Sequence, residues 1–213
     1  SPEELLDNSI AYHDPAGQWG QQKITLPLTE TRPGGSDRQS IVTWNPKRGS
    51  FSLDRTVDGV RTEQMFDGKD CSFKLNGKSE LTEAELEEHR LNCERTQIMR
   101  NYYTYLWGMP MKLKDPGTQL ESVTTTTFQD QEVYALKVTY APEVGSDTWH
   151  FYFDKGNYAL VGYRFYHDES KNDGEYITLE GEAQVKKMRL PKIRKWYVNA
   201  DDEFLGMDTL SDQ

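Results

Sequence analysis

Four histidines and two cysteines are the residues from which this sequence could build a metal site or an acid–base pair. Two of the histidines precede an aspartate, as His13-Asp14 and His167-Asp168, and the two pairs would make such a site if they met in space. Each pair, however, ends an element just before a turn, where capping is the ordinary use of these residues. His89 and His150 have no neighbour at ligand spacing. Cys71 and Cys93 form no C-x-x-C or other metal-ligand pattern, so zinc is not expected. They are either two buried free thiols or a disulfide; a disulfide adds roughly 3 kcal/mol and implies an oxidising compartment. The sequence holds no G-x-S-x-G, no cysteine beside a histidine and no phosphate or dinucleotide loop. Acidic residues are abundant enough for a glycosidase-type carboxylate pair, but Glu175, Glu180 and Glu182 read as a solvated strand face. No catalytic residue, metal or cofactor is therefore expected, and the protein is not read as an enzyme.

The elements that would position a site alternate between helix and strand. Leu5, Leu6, Ser9, Ile10 and His13 fall near one helical face and His13-Asp14-Pro15 stops the pattern, which predicts a helix over 3–13. Residues 19–28 read as a strand, which Pro27 marks as an edge or bent strand. Asp58-Gly59, Asp67-Gly68 and Asn76-Gly77 recur nine positions apart. Each is a preferred two-residue hairpin turn, because that geometry needs positive φ at both central positions. With strands at 41–44 and 51–57 they predict an antiparallel meander across 18–76. Thr82 followed by acidic residues predicts a helix over 82–107, closed by Gly108 and Pro110. On it Leu91, Ile98, Tyr102 and Tyr105 share one face, while Leu86 and Cys93 lie on another. Strands then return across 120–210, at 121–128, 132–140, 148–153, 158–167, 175–185, 193–198 and 204–209. Residues 30–37, with Pro33-Gly34-Gly35, predict a mobile loop. No repeat or low-complexity linker interrupts the 213 residues, so a single domain over 1–213 is expected.

Apolar residues make up only 35% of the chain while 12% is aromatic, so the core must draw on Trp, Tyr and Phe. The strand 149–153 places Trp149, Phe151 and Phe153 on one face and His150 and Tyr152 on the other. In 159–167, Val161, Tyr163 and Phe165 oppose Leu160, Gly162, Arg164 and Tyr166. Strands apolar on both faces need cover on both, either from a helix over a packed core or from a cavity that holds a ligand.

The net charge of -10 repels phosphate backbones, which argues against nucleic acid as a partner. Lys186, Lys187, Arg189, Lys192, Arg194 and Lys195 form a basic cluster, read as a solvent-facing hairpin neutralised by Asp201, Asp202 and Glu203, with contact to an anionic headgroup or a partner as the alternative. No run is long and apolar enough for a membrane helix. The chain opens on Ser1-Pro2-Glu3-Glu4 without a charged and apolar leader, which fits either a cytosolic protein or one whose export signal has been removed.

Ile10-Ala11-Tyr12-His13-Asp14-Pro15, Asn172-Asp173-Gly174-Glu175-Tyr176-Ile177, Leu190-Pro191-Lys192 with Trp196-Tyr197, and Phe204-Leu205-Gly206-Met207-Asp208 together resemble an uncharacterised family of exported proteins of Gram-negative bacteria. The order helix, meander, helix, strands is similar to the lipoprotein-localisation (Lol) carriers. That resemblance implies a mainly β fold with helices: an incomplete antiparallel β-barrel, or half-barrel, of about a dozen strands covered by an N-terminal and a longer mid-chain helix. It also implies a periplasmic or outer-membrane-associated protein binding an apolar or amphipathic ligand. Cavity candidates are Trp149, Phe151, Phe153, Tyr163 and Phe165, with Tyr102, Tyr105 and Trp107 from the helix. The alternative is a non-catalytic envelope module with a packed sheet that binds a protein partner.

Overall fold

The computed structural model describes residues 1–211. Among them, in chain order, are α1 (Pro2–His13), β1 (Ile24–Thr31), β2 (Arg38–Asn45), β3 (Ser50–Val57), β4 (Val60–Phe66), β5 (Cys71–Leu75), α2 (Glu83–Glu88), α3 (Cys93–Trp107), β6 (Thr118–Phe128), β7 (Gln131–Tyr140), β8 (Thr148–Asp154), β9 (Leu160–Tyr166), β10 (Glu175–Val185), β11 (Met188–Val198) and β12 (Phe204–Leu210). The twelve strands form one antiparallel sheet in the order β5-β4-β3-β2-β1-β12-β11-β10-β9-β8-β7-β6. With β5 and β6 at its two ends the sheet is open, not closed into a barrel, and the expected mainly β architecture with helices is the one observed.

Two compact units divide the chain: Ser1–Ala16 with Met109–Met207, and Gly17–Gly108 with the segment from Asp208 onward. In the first, α1 begins at a complete capping box in which Ser1 and Glu4 satisfy each other's backbone, with Pro2 in its first turn. It packs on β6 and β11 through Leu5, Leu6, Ser9 and His13. In the second, strict alternation sends Ile24, Leu26 and Leu28 of β1, Val42 and Trp44 of β2, and Phe51 and Leu53 of β3 into the core. There α3 lies across β3, β4 and β5, and its N-terminus is tied to β5 by the Cys71–Cys93 disulfide.

Several expectations need correction. The helix over 82–107 is two helices. Thr82 and Glu85 make the capping box of α2, but Arg90 turns left-handed at φ 54° and Asn92 caps α3 afresh. The strand at 19–28 starts only at Ile24 and runs to Thr31, so Glu30 belongs to a strand and not to the loop expected over 30–37. Pro27 sits in an interior strand; its carbonyl accepts from Ser211 just past the end of β12, and its missing N–H faces the same way. Asp58-Gly59 is the expected tight turn, at φ 50° and 77°. Asp67-Gly68 instead opens a four-residue loop closed by Asp67 N–H to Asp70 O at 3.1 Å. Only glycine fits at 68, since φ is 107° and a Cβ would come within 2.5 Å of the Arg48 carbonyl. β11 starts at Met188, ahead of the expected 193–198, because Lys186-Lys187 forms a positive-φ turn without glycine.

Candidate functional site

In the first unit β8 and β9 pair Trp149 with Phe165 and Phe151 with Tyr163, which brings the five strand aromatics named from sequence onto one face. Trp149 lies 4.9 Å from Phe165 and 6.0 Å from Phe151 between ring centroids, and Phe151 is 5.6 Å from Tyr163. Phe151, Phe153 and Tyr163 are fully buried, while Trp149 and Phe165 are half-buried. The patch therefore has a packed centre and a margin that still reaches solvent. α1 stands on the same side, where Leu5, Val123, Tyr134 and Tyr158 help line a cleft of about 260 Å³.

On the opposite face of these strands the sheet's own side chains form a layer. Phe128, at the β6–β7 turn, stacks on Tyr152 at 4.3 Å and meets Tyr176 edge-on, and Tyr176 stacks on Tyr197 at 5.0 Å. The Arg164 guanidinium covers Tyr176 at 4.9 Å. Gly162 makes this possible, because a Cβ there would lie 2.3 Å from the Phe128 ring. The cover that the two-sided pattern demanded on this face is thus a second aromatic layer built by the sheet itself.

The helical candidates divide by exposure. Trp107 is buried, Tyr105 half-buried and Tyr102 41% exposed, as is Ile98 at 48%. The buried face of α3 is instead Thr96, Tyr103, Leu106 and Trp107. Its polar members go inward because they find partners. The Thr96 hydroxyl is 3.0 Å from Gln64 Oε1, and the Tyr103 hydroxyl donates to Glu30 Oε2 at 2.7 Å. Glu30 follows Leu28 at the next inward position of β1, and Arg55 of β3 reaches it at 3.2 Å while donating to Ser40 Oγ at 3.0 Å. Ser40 also bonds Glu30, and Arg55 bonds Tyr103. Burial pushes the Tyr103 phenol well above its usual pKa.

Alongside this network lies a cleft of about 450 Å³ whose walls include Arg38, Arg55, His89, Arg90 and Arg95. None of these arginines belongs to the basic cluster picked out by sequence. Within that cluster Lys195 pairs with Glu180 at 2.8 Å, Arg189 covers the Tyr12 ring at 4.6 Å, and Arg194 is 1% exposed. Lys186 and Lys187 are exposed at the hairpin turn, as a solvent-facing hairpin requires, whereas Arg194 is buried and the Lys195 partner lies across the β10–β11 ladder and not at 201–203.

The two histidines that precede an aspartate are held by structural partners. His13 is buried with Nδ1 2.7 Å from Arg189 O and Nε2 accepting from the Leu160 N–H at 2.8 Å, an arrangement that holds the neutral ring with its proton on Nδ1. Burial keeps its pKa below the usual value. Protons are then taken up on unfolding, so this stabilisation is complete above about pH 6.5 and declines as pH falls through the ordinary histidine range. His167 acts in the opposite sense, its pKa raised by the Asp147 carboxylate 2.7 Å away, but it is largely exposed. The wild-type minus His13→Gln stability difference is accordingly expected to shrink between pH 7.5 and 5. Urea titrations at the two pH values check it; a difference independent of pH would mean a ring with the same pKa folded and unfolded, and one that grows as pH falls would mean a ring protonated in the fold. Among the described residues no group of three or more His, Cys, Asp or Glu could hold a metal ion.

This open antiparallel sheet with its helices is similar in fold to solved structures that include a LolA superfamily protein. A LolA superfamily protein from Nitrosomonas europaea superposes with a TM-score of 0.52 at 9% identity, over 100% of this chain and 92% of that chain. A putative outer membrane lipoprotein-sorting protein domain from Vibrio parahaemolyticus gives 0.54 at 12% identity, over 100% and 92%. At such identities the likeness is one of fold. By sequence the chain belongs to the family of unknown function DUF6503, which matches residues 1–213. A comparison with the curated proteins finds no match.

Proposed function

We propose that this is an exported protein of the cell envelope that binds an apolar or amphipathic ligand, such as a lipid or acyl chain, and is not an enzyme. The observation that carries the reading is the β8–β9 aromatic face, whose margin residues Trp149 and Phe165 keep solvent access beside a buried centre. An aromatic face with solvent access at its margin offers contact area to an apolar ligand. Two further facts support it. The solved structures of the same fold include one titled as a putative outer membrane lipoprotein-sorting domain, and the disulfide suits an oxidising compartment. No helix among the described residues is long and apolar enough to cross a membrane.

Mass spectrometry of an organic extract of the folded protein, set against a mock purification, is expected to reveal a stoichiometric lipid or fatty acid. Trp149→Ala should weaken binding of an apolar fluorescent probe by at least about tenfold, since burying such a side chain is worth roughly 1.5–3 kcal/mol. Its effect on the unfolding midpoint should be smaller, because Trp149 is half-exposed. Equal losses of binding and stability would make it a core residue. The complete burial of Phe151, Phe153, Tyr163 and Trp107 favours a second reading, a packed module that binds an envelope protein. An empty extract and no probe binding would select it.

A further inference from the structure

The cleft in the meander unit carries five arginines, Arg32, Arg38, Arg55, Arg90 and Arg95, together with His89. This is a concentration of one charge in a chain whose net charge is -10. Arg55 is engaged with Glu30. Asp58 is the one carboxylate among the described residues of the wall, and Ser36 donates to it at 2.7 Å. Among the described residues no carboxylate lies within ion-pair distance of Arg32, Arg38, Arg90 or Arg95.

The fold gathers these side chains at some cost. Arg38 stands opposite Glu30 in the β1–β2 register, at the end of the inward row that continues the apolar core. Burial, and then the guanidiniums of Arg55 and Arg32, hold its pKa below the usual value, the mark of like charges facing one another without enough counter-charge. Arg90 is placed on the opposite wall by a left-handed backbone at φ 54°, a conformation uncommon outside glycine and found at functional sites more often than elsewhere. Val57, Val60 and Met99 complete the wall with apolar surface.

We infer that this cleft binds a phosphate group, free or as part of an ester or lipid headgroup. Guanidinium forks match the geometry of phosphate oxygens and hold them through paired charge-assisted hydrogen bonds. A phosphate there supplies the counter-charge that the wall lacks, and the apolar part of the cleft accommodates the carbon skeleton of an ester. The inference does not depend on the apolar-ligand reading, because it concerns different residues in the other unit.

Calorimetric titration of the whole protein with inorganic phosphate, and co-sedimentation with phosphatidylcholine vesicles with and without phosphatidic acid, test it. Arg38→Gln with Arg95→Gln should weaken binding by at least about tenfold, as expected for lost bidentate contacts. Lys47→Gln with Arg48→Gln removes the same charge on the β2–β3 turn, outside the cleft, and should leave binding unchanged. Should the first variant fail to fold, Arg32→Gln with Arg90→Gln, at two exposed positions, replaces it. Phosphate binding lost in the cleft variant identifies a free anion or soluble ester. Binding confined to phosphatidic acid vesicles, and lost in the same variant, identifies a headgroup. Absence of binding in both arms, or equal losses in the cleft and control variants, overturns the inference.

Discussion

Glu30→Ala is expected to lower the free energy of unfolding by about 3–5 kcal/mol, the range for breaking a buried ion pair from one side. Glu30 accepts from Tyr103 at 2.7 Å, from Arg55 at 3.2 Å and from Ser40, and the two charged side chains are only 10% and 15% exposed. Removing the carboxylate leaves a guanidinium only 15% exposed without its counter-charge, and leaves the Tyr103 O–H without its acceptor. Tyr103→Phe removes two charge-assisted hydrogen bonds, one donated to Glu30 and one accepted from Arg55, and should cost at least about 1.5–3 kcal/mol. The two effects should not add, because Glu30, Arg55 and Tyr103 form one network. Urea unfolding of the two single variants and the double variant checks both statements. A loss below about 1 kcal/mol for Glu30→Ala would show that water reaches the pair and screens it as it does on a surface.

That network also shows where sequence reading succeeded and where it stopped. Strands bounded by Asp58-Gly59 or marked by Val, Tyr and Phe runs were legible, because turn chemistry and period-two alternation are local. Turns that force positive φ on other residues were not. Gln129-Asp130 and Lys186-Lys187 adopt the same left-handed pair of angles, at 50° and 60° and at 49° and 68°, with no glycine to announce them. The buried face of α3 was hidden for a different reason. Thr96 and Tyr103 look like surface residues until Gln64 and Glu30, far away in sequence, are brought opposite them, whereas Ile98 and Tyr102 look buried and remain exposed. Charge misled in the same way. The basic residues adjacent in sequence at 186–195 include a lysine paired across its ladder and a buried arginine, while the arginines that share a cleft come from residues 32 to 95. The aromatic face was legible in full on β8 and β9, since it needs only alternation within two neighbouring strands.

Reduction of Cys71–Cys93 is expected to cost about 3 kcal/mol, the value for a loop of this length when the cross-link acts by restricting the unfolded chain. The bond spans a sequence separation of 22 residues and joins the last strand of the sheet to the first residue of α3. β5 is short, has β4 as its one ladder partner, and lies at the sheet edge, so little else holds it. The loss should therefore be uneven. Hydrogen exchange in reductant should accelerate in β5, α2 and the start of α3, while the long β10–β11 ladder keeps its protection. Unfolding midpoints with and without reductant supply the magnitude, and an unchanged midpoint would mean that β5 is held by its packing alone. The closed loop contains Arg90 and ends two residues before Arg95, so the same bond fixes the α2–α3 break that places both beside the meander. Loosening it returns part of the ordering entropy that a preorganised cleft has already lost. Phosphate affinity in reductant should then fall together with protection at the break, which ties the redox state of the compartment to the chemistry of the cleft.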